Sequence, residues 1–304
     1  MTADVVLSED VAFRGWRALR IERGALTLHL VPQIGGRIMG IAHDGQELAF
    51  VQPERAGSVP SETERAALEA WRKSLGFPLW GGGKTWIAPE SRFPGGAPYP
   101  DLDSGPYEIS VLQAAPERVT VRMESAVCRD TGLRLSRTLE VSAETPGWRV
   151  VQRAVNHGDT PWEGGLWDVL MLLRPAEVFW PAAEAHVFED KGDPAAGRAA
   201  LRPGGVLCAA EAEFKLGAQL TSGWIAARLG RVGYLRRFPL DTAANYAHGW
   251  PAEVYNSEDH PYLEIESHGP MTRLEPGEGA AMTVCEEVAP WHEIAAKLKM
   301  ETYA

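Results

Sequence analysis

The 304-residue chain predicts a mainly β protein, with large antiparallel sheets packed face to face in a single domain over residues 1–304 and one short helical excursion near residues 61–76. Short alternating or β-branched-rich runs, closed by Gly, Pro, Asn or Asp, recur along the whole chain. Helical patterns do not alternate with these runs, as a βαβ fold would require. The composition, 45% hydrophobic and 23% charged, supplies apolar residues for a large core.

In chain order, the runs read as strands are 26–31, 37–42, 107–112, 119–123, 133–141, 148–155, 166–173, 224–228, 234–238, 262–267 and 281–288. One helix interrupts them. Ser61 and Glu64 form a capping-box pattern, Leu68, Trp71 and Leu75 share one helical face, and Gly76 is placed to end it. The Pro- and Gly-rich stretches 93–106 and 192–205 read as long loops at a functional rim.

A net charge of −11, with acids spread along the chain, argues against nucleic acid and anionic membranes as partners and favours a neutral or cationic small ligand. Cys128, Cys208 and Cys285 have no paired spacing, so they read as buried packing residues in a reducing cytoplasm. No export signal or apolar run long enough for a membrane span is evident. Oligomeric state is left open.

The most informative run is Tyr262-Leu263-Glu264-Ile265-Glu266-Ser267-His268. Side chains alternate across a strand, so Tyr262, Glu264, Glu266 and His268 share one face and Leu263 and Ile265 the other. Two carboxylates ~6 to 7 Å apart on a partly desolvated face raise at least one pKa toward the range useful for proton transfer. The alternative is a buried ion pair with Arg37 or Lys84.

The segment Gly83-Lys84-Thr85 ends like a phosphate-binding loop, but Pro78 stands where the first glycine belongs and Pro89 blocks a following helix. Nucleotide binding is therefore rejected. Lys84, Trp86 and Glu90 around the three glycines 81–83 read equally as a ligand site or a tight turn. Among eleven tryptophans, Trp80, Trp86, Trp162, Trp167 and Trp250 lie in polar or Gly-rich settings; most read as core, and one or two, with Trp86 and Trp167 the candidates, suit the faces of sugar rings. Arg37, after Gly35-Gly36, reads either as a donor to hydroxyl groups or as a surface arginine. Asp168, beside Trp167, either binds a hydroxyl or ends a strand hydrogen bond. The spacing Glu258-Asp259-His260 is too weak to argue for a metal, and no cofactor is expected.

These segments carry a resemblance. Val31-Pro32-Gln33-Ile34-Gly35-Gly36-Arg37, Gly82-Gly83-Lys84-Thr85-Trp86-Ile87-Ala88-Pro89-Glu90, Gly223-Trp224-Ile225-Ala226, the glutamate strand with Gly269-Pro270, and Leu274-Glu275-Pro276-Gly277-Glu278 run in order over nearly the whole chain. Together the chain resembles the aldose 1-epimerase, or galactose mutarotase-like, superfamily, and within it a bacterial mutarotase-like subgroup. The resemblance implies a β-supersandwich with a carbohydrate cleft on the concave face of one sheet. It also implies acid–base ring opening of an aldose without cofactor, with Glu266 as base and Glu264 as its neighbour.

One departure is large. Where mutarotases carry Gly-x-His-Pro-Tyr, this chain has Gly164-Gly165-Leu166-Trp167-Asp168. The proton donor is therefore open among His248, His268 and Lys84. Arg37, Lys84, Trp86, Glu90, Trp167, Asp168 and His268 are the expected sugar contacts. A binding protein that kept the cleft and lost the acid is the alternative. Glycoside cleavage is a further one, which would need Glu90 or Asp168 as a distant partner to the strand glutamates.

Overall fold

A computed structural model describes residues 3–75, 77 and 79–300. Among the described residues the chain is mainly β, folded into a twelve-stranded and a ten-stranded sheet whose strand pairs are antiparallel. Every run read as a strand overlaps one, from Leu26–Val31 to Gly279–Pro290. The larger sheet passes through Leu26–Val31, Arg37–His43, Gly83–Ala88, Trp162–Leu173, Tyr262–His268, Ala252–Asn256, Phe214–Leu220 and Ala182–Gly192 in that spatial order. Its two sides do different work. Leu170, Leu172, Leu263 and Ile265 join Val121, Leu139, Val150 and Val284 of the smaller sheet in one buried apolar cluster, and the alternate residues face away from that interior.

The helical excursion is shorter than expected. Ser61 and Glu64 form the capping box, with Glu64 N donating to Ser61 Oγ at 3.2 Å and Ser61 N donating to Glu64 Oε2 at 2.7 Å. Ala67 leaves helical geometry and splits the segment into Glu62–Ala66 and Leu68–Leu75. Of the expected stripe only Trp71 is buried, and Gly76 and Pro78 lie outside the described residues. The two loops carry structure of their own: Pro100–Asp103 and Pro194–Ala200 are short helices. Cys128 and Cys208 are buried as expected, but Cys285 is exposed, because it lies on the outer side of its strand. No helix among the described residues is long and apolar enough to cross a membrane.

Two residues expected at the ligand lie inside the fold instead. Asp168 alternates with Trp167 and points between the sheets, where its Oδ1 lies 2.5 Å from Arg236 Nη2 and its Oδ2 accepts from Gln152 Nε2. Arg236 also reaches Glu286 at 2.9 Å. Arg37 is fully enclosed. Its Nη2 lies 2.5 Å from Asp103 Oδ1, and Nη1 and Nε donate to Gly81 O at 2.9 Å and Ile34 O at 3.1 Å. The paired glycines permit this because a Cβ on Gly35 would stand 2.0 Å from Asp103 O. Arg37 is a clamp between three chain segments.

Candidate functional site

The outward face of the larger sheet is built from three cross-strand rows. Trp86 pairs with Trp167, which pairs with His268. In the next row Lys84 pairs with Val169, then Glu266, Glu253 and Gly217. The third runs Met171, Glu264, Tyr255, Lys215. Directly opposed residues point to the same side of a sheet, so five strands bring their polar residues to one surface.

A cleft of about 510 Å³ opens on this surface. Trp86, Trp167, Glu264, Lys215, Tyr255 and Tyr262 lie along it, with Glu90, Glu213 and His260 at its walls. Of the residues expected here, Trp86, Glu90, Trp167 and Glu264 reach the cleft. Lys84 lies just beneath, its Nζ 3.4 Å from Glu264 Oε1 and 4.1 Å from the Trp86 ring centre. Burial lowers the pKa of the Lys84 ammonium, with Glu264 opposing.

Glu266 and His268 do not line the cleft. The Glu266 carboxylate is enclosed, its Oε2 accepting from Trp167 Nε1 at 2.9 Å and from Lys215 Nζ at 3.0 Å. Lys215 also touches Glu253 Oε2 at 2.8 Å. His268 stacks on Trp167 with ring centres 5.3 Å apart, and its Nε2 lies 3.4 Å from Glu253 Oε2 without the alignment of a hydrogen bond. Burial lowers the His268 pKa, which favours the neutral ring. His248 comes from the loop before Ala252–Asn256. The Glu90 N–H donates to His248 Nε2 at 3.2 Å, so the ring proton belongs on Nδ1, facing Glu253 Oε1 at 3.0 Å. His248 borders a side chamber rather than the main cleft.

The two buried carboxylates are pushed apart. Burial raises the Glu266 pKa well above the ordinary glutamate range, with Lys215 opposing. Glu253 is also buried, but Lys215, joined by the hydrogen bond from His248, holds it well below that range. For Glu266 the folded chain keeps its proton longer than the unfolded chain, so stability falls as pH rises above about 4.3 toward the raised folded value. Glu266→Gln retains an acceptor for Trp167 and Lys215 and removes the titration. Its thermal midpoint is expected to decline less than wild type over that interval, followed by calorimetry at stepped pH; an unchanged pH slope would show that Glu266 ionises normally.

His248, Glu253 and His268 place donor atoms within 4.8 Å of one another, the donor set best placed to hold a metal among the described residues. Lys215 already supplies positive charge to Glu253 there, and the His248 Nδ1–H points at the same carboxylate. The arrangement reads as a hydrogen-bonded charge network that fixes Lys215 and Trp167 beneath the cleft. Glu253 and Lys215 escaped the sequence reading, as did the cleft position of His260.

Comparison with known proteins agrees with the fold. A putative aldose 1-epimerase from Klebsiella pneumoniae superposes with a TM-score of 0.69 over 97% of this chain and 86% of that one, at 14% identity. The fold is galactose mutarotase-like. A putative mutarotase from Salmonella typhimurium matches at TM-score 0.62, 10% identity and 94% of both chains. A galactose mutarotase-like protein from Clostridium acetobutylicum matches at 0.57, with 10% identity over 94% of this chain and 99% of that one. No family model matches the sequence, and no curated protein does. On a mutarotase-like sandwich, the cleft described here is a sheet-face pocket with convergent polar groups, the kind of site that holds small molecules.

Proposed function

We propose that the protein binds a small sugar in this cleft and interconverts aldose anomers by acid–base ring opening, without a cofactor. The observation that carries the reading is Glu264, which alone of the two strand glutamates lines the cleft, beside Trp86, Trp167 and Lys215. In this mechanism the Glu264 carboxylate takes the proton of the anomeric hydroxyl, the C1–O5 bond breaks, and the ring oxygen is protonated. Reclosure on either face of the aldehyde returns both protons. Relative to the sequence expectation, the base moves from Glu266 to Glu264, because Glu266 is enclosed behind Trp167 and Lys215.

The donor to the ring oxygen is assigned to His260. Its ring lines the main chamber, with Nε2 3.3 Å from Gln52 Nε2, and an imidazole N–H is a proton donor. Glycoside cleavage through Asp168 is disfavoured, since Asp168 lies on the opposite face of the sheet, paired with Arg236. A purely binding role is favoured by one feature, the tie between Glu264 and Lys84.

Exchange-NMR of anomers across a panel of aldoses decides between them. At least one sugar is expected to exchange faster with enzyme, and His260→Asn to slow it by about 10² while sugar still binds. Binding without acceleration would establish the binding role, and no binding at all would remove the cleft assignment.

A further inference from the structure

The cleft has a second compartment. A chamber of about 480 Å³ adjoins the main one and shares Glu90, Phe93, Lys191 and Lys215 with it. Its own surface is formed by Pro89, Ser91, Phe188, Asp190, Ala247 and His248. The partition between the two is a pair of side chains: Lys191 Nζ lies 3.0 Å from Glu90 Oε1, and these side chains are 37% and 32% exposed. An ion pair that open to solvent contributes little to stability, so it can rearrange around a ligand. It marks a waist in one continuous cleft.

Each chamber alone is within the range of roughly 300–1,000 Å³ that encloses a drug-sized ligand. A single hexose is smaller than such a ligand and leaves the second chamber empty. The chemistry of that chamber also suits a sugar. Phe93 and Phe188 bring aromatic surface, while Ser91, Asp190 and Glu90 bring hydroxyl and carboxylate groups that match ring hydroxyls. Lys215 links the compartments, its Nζ 4.9 Å from the Trp167 ring centre in one and 5.9 Å from Phe188 in the other.

We propose that the ligand extends beyond one ring, and that the side chamber is a subsite for a second sugar unit joined to the one held over Trp86 and Trp167. This rests on the carbohydrate reading above. The reducing unit occupies the main chamber, where its anomeric carbon meets Glu264, and the linked unit passes the waist between Glu90 and Lys191.

Calorimetric titration with reducing disaccharides of differing linkage, each beside its own monosaccharides, tests the proposal on the full chain. At least one disaccharide is expected to bind about tenfold or more tighter than either component, the step that ~1.4 kcal/mol supplies. Phe188→Ala and, separately, Asp190→Ala are expected to reduce that advantage. Asp190 is exposed, so its variant remains informative if the Phe188 variant folds poorly. If a monosaccharide binds as tightly as every disaccharide, or if both variants leave the advantage intact, the second subsite is wrong and the sugar reading stands. If neither size of sugar binds, the carbohydrate reading fails and this proposal with it.

Discussion

Glu264→Gln is expected to slow anomer exchange by about 10²–10⁴-fold, the contribution typical of a positioned general base. The amide keeps the size of the side chain and its place in the row between Met171 and Tyr255, but it cannot accept the anomeric proton. Sugar binding is expected to persist, since the aromatic floor and Lys215 are untouched. The variant also deprives Lys84 of its carboxylate partner at 3.4 Å. Burial already lowers the Lys84 pKa, and loss of the partner lowers it further. Exchange rate and sugar affinity measured on the same preparation separate the roles. A rate fallen with affinity retained identifies the base. A wild-type rate removes Glu264 from the chemistry, and loss of both signals a collapsed cleft.

The face that carries this chemistry was legible in the sequence because alternation is a local property. Residues 262–268 declare which side each carboxylate takes, and the structure keeps Glu264 and Glu266 together. Depth is not local. Whether a glutamate opens to the cleft or sits beneath it depends on Lys215 and Trp167, which arrive from strands far away in the chain. The strand that brings Lys215 had a readable signal: Phe214, Leu216, Ala218 and Leu220 are buried apolar residues separated by Lys215, Gly217 and Gln219. The same holds for Ala252, Glu253, Val254 and Tyr255. Each is too short to stand out without its neighbours in the sheet. Arg37 and Asp168 illustrate the converse. Both lie on strands as expected, but a charged residue on a strand is ordinarily assigned to the wet side; here Asp168 enters the interior to meet Arg236, while Arg37, on the same side of the sheet as Lys84, is enclosed beside Asp103.

That interior charge is the basis of the largest expected change in stability. Arg236→Met preserves the side-chain stem but removes the cation in direct contact with Asp168 and Glu286 between the sheets, leaving Arg137 as the cation nearby. Removing one partner from a buried ionic cluster costs about 3–5 kcal/mol, because the remaining charge cannot be resolvated. The urea midpoint should fall accordingly, with little change in slope, since the surface exposed on unfolding is the same. The loss should also depend on pH. Burial already raises the Asp168 pKa, with Arg236 opposing, so without Arg236 the folded chain holds this proton to still higher pH. A raised acid pKa in the folded state means stability lost as pH climbs through the interval above the ordinary aspartate value. The deficit of the variant should therefore be smallest in acid and grow toward neutrality. Asp168→Asn combined with Arg236→Met removes one of the stranded charges and should recover part of the loss. A single variant as stable as wild type at neutral pH would mean that Arg236 contributes nothing net to holding the sheets together.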